Sequence, residues 1–207
     1  MKNLRLTVTE VSKHFNRRRI FQDISFSLNC GESLSITGRN GSGKSTLVKI
    51  VAGVLSPTRG SVQFYRGENA LVEDDVKHEL GLVSPYLQLY DEFSATENMT
   101  ILSSIRASQD SEPSYREHIF NQFNLWDRRN DLVRTFSSGM KQRLKYIFAL
   151  YHKPSILILD EPTSNLDEEG INAVREVAEE FKKSSILIVA TNDQSEASWC
   201  SRRIHLG

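Results

Sequence analysis

The segment Gly38-Arg39-Asn40-Gly41-Ser42-Gly43-Lys44-Ser45, followed by Thr46, has the spacing G-x-x-x-x-G-K-[ST]. Glycines without Cβ atoms let successive backbone N–H groups curl around an anion as a nest. A helix that starts directly after such a loop aims the positive end of its dipole at the same anion. Lys44 adds a mobile point charge suited to the β and γ phosphates of a nucleotide, and the Ser45 hydroxyl can ligate Mg²⁺. The bland alternative is a glycine-rich turn that happens to contain lysine. Chance produces that pattern in on the order of one chain in a hundred. A strand before the loop and an amphipathic helix after it are the context that favours phosphate. A second constellation stands at Ile156-Leu157-Ile158-Leu159-Asp160-Glu161. In a parallel sheet the C-terminal strand ends are where ligands sit. Asp160 is placed there to hold Mg²⁺ through its water shell. Glu161, one residue on, is placed to accept a proton from a water attacking the γ phosphate. Alone, a strand ending in two acids is commonplace; the phosphate loop upstream gives the pair its chemical reading.

The elements that must carry these residues can be read from periodicity. Leu4 to Val11 and Ile24 to Leu28 alternate apolar and polar residues, the period of half-buried strands, and Asn29-Cys30-Gly31-Glu32 has the look of a turn. Ser33 to Thr37 is a third strand that runs into Gly38. Leu47, Ile50, Val51 and Val54 fall on one helical stripe, with Gly53 and Pro57 marking its end. Ser61 to Tyr65 and Leu80 to Val83 are short strands separated by a charged stretch containing Glu73-Asp74-Asp75. Ser94-Ala95-Thr96-Glu97 has capping-box spacing, continued by Ile101, Leu102 and Ile105. Glu112-Pro113 opens a further helix with Ile119, Phe120 and Phe123 on one side. Met140 to Tyr151 reads as a helix with Leu144, Ile147, Phe148 and Tyr151 inward. Ile156–Leu159 and Ile186–Ala190 are continuous apolar strands flanking a helix face of Ile171, Val174, Ala178 and Phe181. Strand, helix, strand with fully apolar strands is the signature of a parallel sheet covered on both faces.

Composition narrows the function classes. With 207 residues the chain is one compact domain, large enough to bury about 70% of its unfolded surface. Lys plus Arg and Asp plus Glu are 26 each, so no global positive field draws it to DNA or anionic lipid, and no nucleic-acid partner is expected. Two cysteines, Cys30 and Cys200, make no disulfide framework, and no histidine pair has metal-ligand spacing. The N-terminus has no apolar signal core, and no apolar run approaches the ~18 residues of a membrane helix. A cytoplasmic chain is expected, with any membrane role borrowed from a partner.

Taken together, the chain resembles an ATP-binding cassette (ABC) transporter ATPase over nearly its whole length. Phe136-Ser137-Ser138-Gly139-Met140 stands where that family carries its signature loop, usually Leu-Ser-Gly-Gly-Gln, between the helical insert and the acidic strand. The resemblance implies a P-loop α/β fold of the RecA-like kind, mostly parallel, with an N-terminal antiparallel β subdomain and a helical insert. Residues 1–84 and 141–207 would form the ATPase core, and 85–140 the helical subdomain with the signature loop. It also implies ATP and Mg²⁺ as ligands, with Lys44, Glu161 and Asn192 at the chemistry. Ser137, Ser138 and Gly139 of one subunit would cap the γ phosphate held by the other. Phe15, in the bend after the first strand, matches the aromatic on which adenine stacks; its plain alternative is a core phenylalanine. Ser164-Asn165-Leu166-Asp167 matches the loop that contacts the partner subunit.

Four positions depart from the family. Ser138 replaces a glycine and Met140 a polar residue. The lid glutamine falls on Pro85, leaving Gln88 as the candidate replacement if the loop is reshaped. Asn192 stands where a histidine usually meets the γ phosphate, and an amide carries no charge. These changes bear on turnover more than on ATP binding. The resemblance further implies a head-to-tail homodimer or paired cassette closing on two ATP molecules, docked on an integral membrane permease at the inner face of the membrane. The short length resembles exporter cassettes, the cytochrome c maturation haem exporter among them. The competing expectation is an ATP-gated assembly or regulatory module with slow hydrolysis. DNA-linked members of the class would need a basic face or long coiled-coil insert, and neither is visible in the sequence.

Overall fold

The computed structural model describes residues 3–105 and 112–207; the remaining positions, at the N-terminus and within the expected helical segment, lie outside the described residues. The chain runs β1 (Leu4–Phe15), β2 (Arg18–Asn29), β3 (Ser33–Gly38), α1 (Lys44–Val51), β4 (Arg59–Arg66), β5 (Asn69–Ala70), α2 (Glu73–Glu79) and β6 (Leu80–Val83). It continues through α3 (Ala95–Ile105), α4 (Pro113–Gln122), a 3₁₀ turn at Val133–Thr135, α5 (Ser138–Leu150), β7 (Ile156–Asp160), α6 (Glu168–Phe181), β8 (Ile186–Thr191), α7 (Gln194–Ala197) and β9 (Arg202–Leu206). Two sheets result: an antiparallel one in the order β2-β1-β4-β5, and a five-stranded one in the order β6-β7-β8-β3-β9. All four pairings of the second sheet are parallel. This is the α/β arrangement the sequence leads one to expect.

The parallel strands are apolar throughout because each face is covered. Along β7, Leu157 and Leu159 belong to one core cluster, and Ile156 and Ile158 to another, as a period of two requires. The first face carries α3 to α6, through residues such as Met99, Phe120, Leu144 and Val174. The second face carries α1 and the inward side of the antiparallel sheet, through Leu47, Val51, Leu6 and Val8. Among the described residues no helix is long and apolar enough to cross a membrane.

Local signals hold at several element ends. Ser94 and Glu97 form the reciprocal cap: the Glu97 amide donates to Ser94 Oγ at 3.2 Å and the Ser94 amide to Glu97 Oε2 at 2.7 Å. Pro113 opens α4, where a missing N–H costs nothing. Other expectations need correction. Val54 lies beyond the end of α1 and is 65% exposed, because Gly53 adopts φ 72° and turns the chain away. The acidic stretch at Glu73 is a helix, α2, with three acids in its first turn where the helix dipole favours them. Ile105 is exposed at the end of α3, and Phe148 is only partly buried. Phe15 is the last residue of β1 and precedes a turn at Asn16, φ 53°.

Candidate active site

The parallel register gathers the chemistry at one edge. Thr37 of β3 pairs with Thr191 of β8, and Asp160 of β7 pairs with Ala190 of β8. The C-terminal ends of β3, β8 and β7 therefore deliver the phosphate loop, Asn192 and the acid pair side by side. The loop itself demands glycine at its two ends. Gly38 has φ 152°, and a Cβ there would lie 2.2 Å from the Leu206 carbonyl oxygen. Gly43 has φ 103°, and a Cβ there would lie 2.5 Å from Ile20 and 3.0 Å from Phe21. The hairpin that carries Phe15 thus rests against the loop. Phe15 is 47% exposed with the Lys13 ammonium 5.0 Å from its ring centre, so it is not a core residue.

Lys44 is 5% exposed and donates to the carbonyls of Gly38 at 3.0 Å and Arg39 at 3.4 Å. Its Nζ also lies 3.6 Å from Glu161 Oε1. Ser45 Oγ donates to Asp160 Oδ1 at 3.1 Å. Asp160 is fully buried, and its Oδ2 has no hydrogen-bond partner; Ser42 Oγ in the loop is likewise buried and unpartnered. An orphaned carboxylate oxygen beside a serine hydroxyl is a donor set suited to hydrated Mg²⁺, and an orphaned hydroxyl in a glycine loop suits a phosphate oxygen. The residues present fit Mg·nucleotide.

Electrostatics agree with that fit. Burial pushes the Asp160 carboxyl above its ordinary range, opposed by the Ser45 hydrogen bond and by the Lys44 and Lys49 charges. Burial also raises Glu161, against the pull of Lys44, with Glu196 and Asp160 adding to the rise. Glu161 adopts φ 51°, an uncommon conformation for a non-glycine residue, while its amide continues the ladder to the Ala190 carbonyl at 2.8 Å. Asn192 is exposed, and its Nδ2 donates to Asn40 Oδ1 at 2.9 Å, so the amide at this position already touches the phosphate loop.

The signature segment is organised separately. Ser137 caps α5, accepting from the Met140 amide at 3.2 Å. A Cβ on Gly139 would lie 3.5 Å from the Asn165 carbonyl, which places this loop beside the Ser164–Asp167 turn of its own chain. Among the described residues no hydrogen bond or ion pair joins Ser137, Ser138 or Gly139 to the phosphate loop. Gln88 is exposed and is likewise not joined to the acids or the loop. Pro85 is held at its carbonyl by Lys145 at 3.4 Å, and Lys49 Nζ sits 3.9 Å from the Tyr86 ring centre.

One acid at this edge was not singled out by sequence. Glu196 on α7 is 3% exposed and accepts from Thr163 and Thr191. No motif spacing marks it, because its partners come from the loop after β7 and the end of β8.

These features define a P-loop nucleotide-hydrolase cassette. The ABC transporter family model matches residues 21–164, and the chain belongs to that family as an ATP-binding-cassette ATPase. It is 29% identical to the lipoprotein-releasing system ATP-binding protein LolD of Leptospira interrogans, covering 99% of this chain and 89% of the relative. It is 32% identical to the lantibiotic transport ATP-binding protein SrtF of Streptococcus pyogenes, covering 90% and 79%. The solved ATP-binding subunit of an ABC transporter superposes with a TM-score of 0.84 at 25% identity, over 97% of this chain and 85% of that one. The dimeric post-hydrolysis cassette MJ0796 bound to ADP and Pi shares the fold with a TM-score of 0.83 at 22% identity, over 97% and 94%.

Proposed function

We propose that the chain is the ATPase subunit of an exporter, closing on Mg·ATP with a second cassette and driving a separate membrane permease. The observation that carries the reading is the pairing of phosphate loop and acid pair: Ser45 Oγ to Asp160 at 3.1 Å, and Lys44 to Glu161 at 3.6 Å. Residues Gly38 to Thr46 wrap the triphosphate, and adenine stacks on Phe15. Ser45 and Asp160 would hold Mg²⁺, which would supply charge neutralisation at the phosphates. In the structure the Lys44 ammonium is held by Gly38, Arg39 and Glu161. When phosphate oxygens take that ammonium over, Glu161 loses its nearest cation and becomes a stronger base. It then accepts a proton as water attacks the γ phosphorus. The bond to the bridging oxygen breaks, and ADP and phosphate leave.

Ser137, Ser138 and Gly139 of the partner cap the γ phosphate with a hydroxyl and the amides of a helix start. The second cassette is another copy or a related subunit. Residues 1–84 and 141–207 form the nucleotide core; 85–140 form the helical arm that meets the permease. The exposed Tyr86, Tyr90 and Phe93 support a docking face there. Relatives named for lipoprotein release and lantibiotic transport support export, with the cassette peripheral on the cytoplasmic face of the membrane.

Pro85 at the lid position and an uncharged Asn192 already bonded to Asn40 favour a second reading, an ATP-gated assembly module with slow hydrolysis. Single-turnover ATP cleavage with wild type and Glu161→Gln separates the two. The exporter reading expects the variant to lose turnover by a factor on the order of 10² or more and to accumulate an ATP-bound dimer on size exclusion. Equal rates would remove Glu161 as the base. Wild type that forms the dimer but hardly cleaves would favour the gated module.

A further inference from the structure

Glu196 is a buried carboxylate that the reaction outlined above does not use. It stands on the four-residue helix α7, whose first amides are already satisfied by Asp193: Ser195 N donates to Asp193 Oδ1 at 2.6 Å and Glu196 N at 3.4 Å. The helix therefore does not need the Glu196 side chain for its own start. No Lys, Arg or His among the described residues forms an ion pair with it; its side chain is buried, and its donors there are the neutral groups of Thr163 and Thr191. That is a costly arrangement to keep unless the donors need to be held.

Those donors come from the loop after β7 and the end of β8. Glu196 Oε1 accepts from the Thr163 amide at 3.1 Å and from the Thr163 hydroxyl. Oε2 accepts from the Thr191 hydroxyl, whose oxygen in turn accepts from the Asp193 amide at 2.9 Å. Thr163 lies two residues after Glu161, and Thr191 directly precedes Asn192. One rigid carboxylate thus spans the turn that carries the proposed base and the strand end that carries the proposed γ-phosphate contact.

We propose that Glu196 is a positioning residue for ATP cleavage: its two oxygens tie Thr163 to Thr191 and so set Glu161 and Asn192 at a fixed separation. The inference rests on the reading of Glu161 as the base. Glu161 also holds φ 51°, and a strained backbone persists only where neighbours over-determine it.

The test is a double-mutant cycle on single-turnover cleavage, with Mg·ATP affinity and thermal melting followed alongside. Glu196→Gln is expected to keep affinity within about twofold and to slow cleavage about 10- to 100-fold. Added to Glu161→Gln, it is expected to cost clearly less than in the wild-type background, since it acts in part through that residue. If Glu196→Gln does not fold, Thr163→Val, which keeps the Thr163 amide bond, and Thr191→Val are expected to slow cleavage at unchanged affinity. Variants that cleave at the wild-type rate, or a loss that simply multiplies with that of Glu161→Gln, would overturn the positioning role. A Glu161→Gln variant that cleaves at the wild-type rate would instead sink the base assignment beneath it.

Discussion

At Asp160 the folded chain holds a fully buried carboxylate with one oxygen satisfied by Ser45 and the other by nothing. Burial raises this group, so the folded protein binds its proton more tightly than the unfolded chain does. The stability associated with that proton is present below the ordinary aspartate range and is lost as pH rises through the raised value. Above the raised value the site is ionised at the expense of the fold. Asp160→Asn is expected to melt like wild type in acid. Above the raised value it should melt higher than wild type, with about 2–4 °C for each 1 kcal/mol of cost relieved in a chain this size. Melting curves across pH check this, and a variant that never melts above wild type as pH rises would contradict it. The same substitution should abolish Mg²⁺-dependent cleavage, so stability and function would part company at one residue.

At the scale of elements, the N-terminus of α5 carries two duties. Ser137 caps the helix and is also the residue proposed to face the partner's γ phosphate. Ser137→Ala is expected to lower stability by about 1 kcal/mol through the lost cap and to weaken ATP-driven dimerisation in the Glu161→Gln background. Differential scanning calorimetry and light scattering read the two effects separately; a stability loss with unimpaired dimerisation would confine the serine to capping. Elements whose signal is local were legible from sequence: the phosphate loop between strand and helix, the Ser94–Glu97 cap, Pro113 at the start of α4. Elements whose signal depends on tertiary context were not. The α2 helix hides in an acidic run without an apolar stripe, and none of its residues is buried. Glu196 looks like any acid near a helix start, because only the parallel pairing of β7 and β8 brings Thr163 and Thr191 to it.

At the scale of the molecule, the strand order β6-β7-β8-β3-β9 explains how candidate residues far apart in sequence come to one edge. Residues Gly38, Asp160 and Asn192 are more than a hundred positions apart at the extremes, yet each stands at the C-terminal end of a strand in one parallel sheet. Fixing the ends of three apolar runs fixes the site. What a single chain does not supply is the second half of the proposed nucleotide sandwich. Ser137 to Gly139 lie beside their own Ser164–Asp167 turn and make no hydrogen bond to their own phosphate loop, so the full site is proposed to need another cassette. All of this depends on Mg·ATP being held by the loop. Isothermal titration of Mg·ATP into the wild-type chain and into Lys44→Ala measures that directly. Saturable binding by wild type is expected, weakened on the order of tenfold or more in the variant, as the loss of a charged hydrogen bond of about 1.5–3 kcal/mol implies. A wild-type chain that takes up no Mg·ATP, or a variant that binds it equally well, would contradict the account.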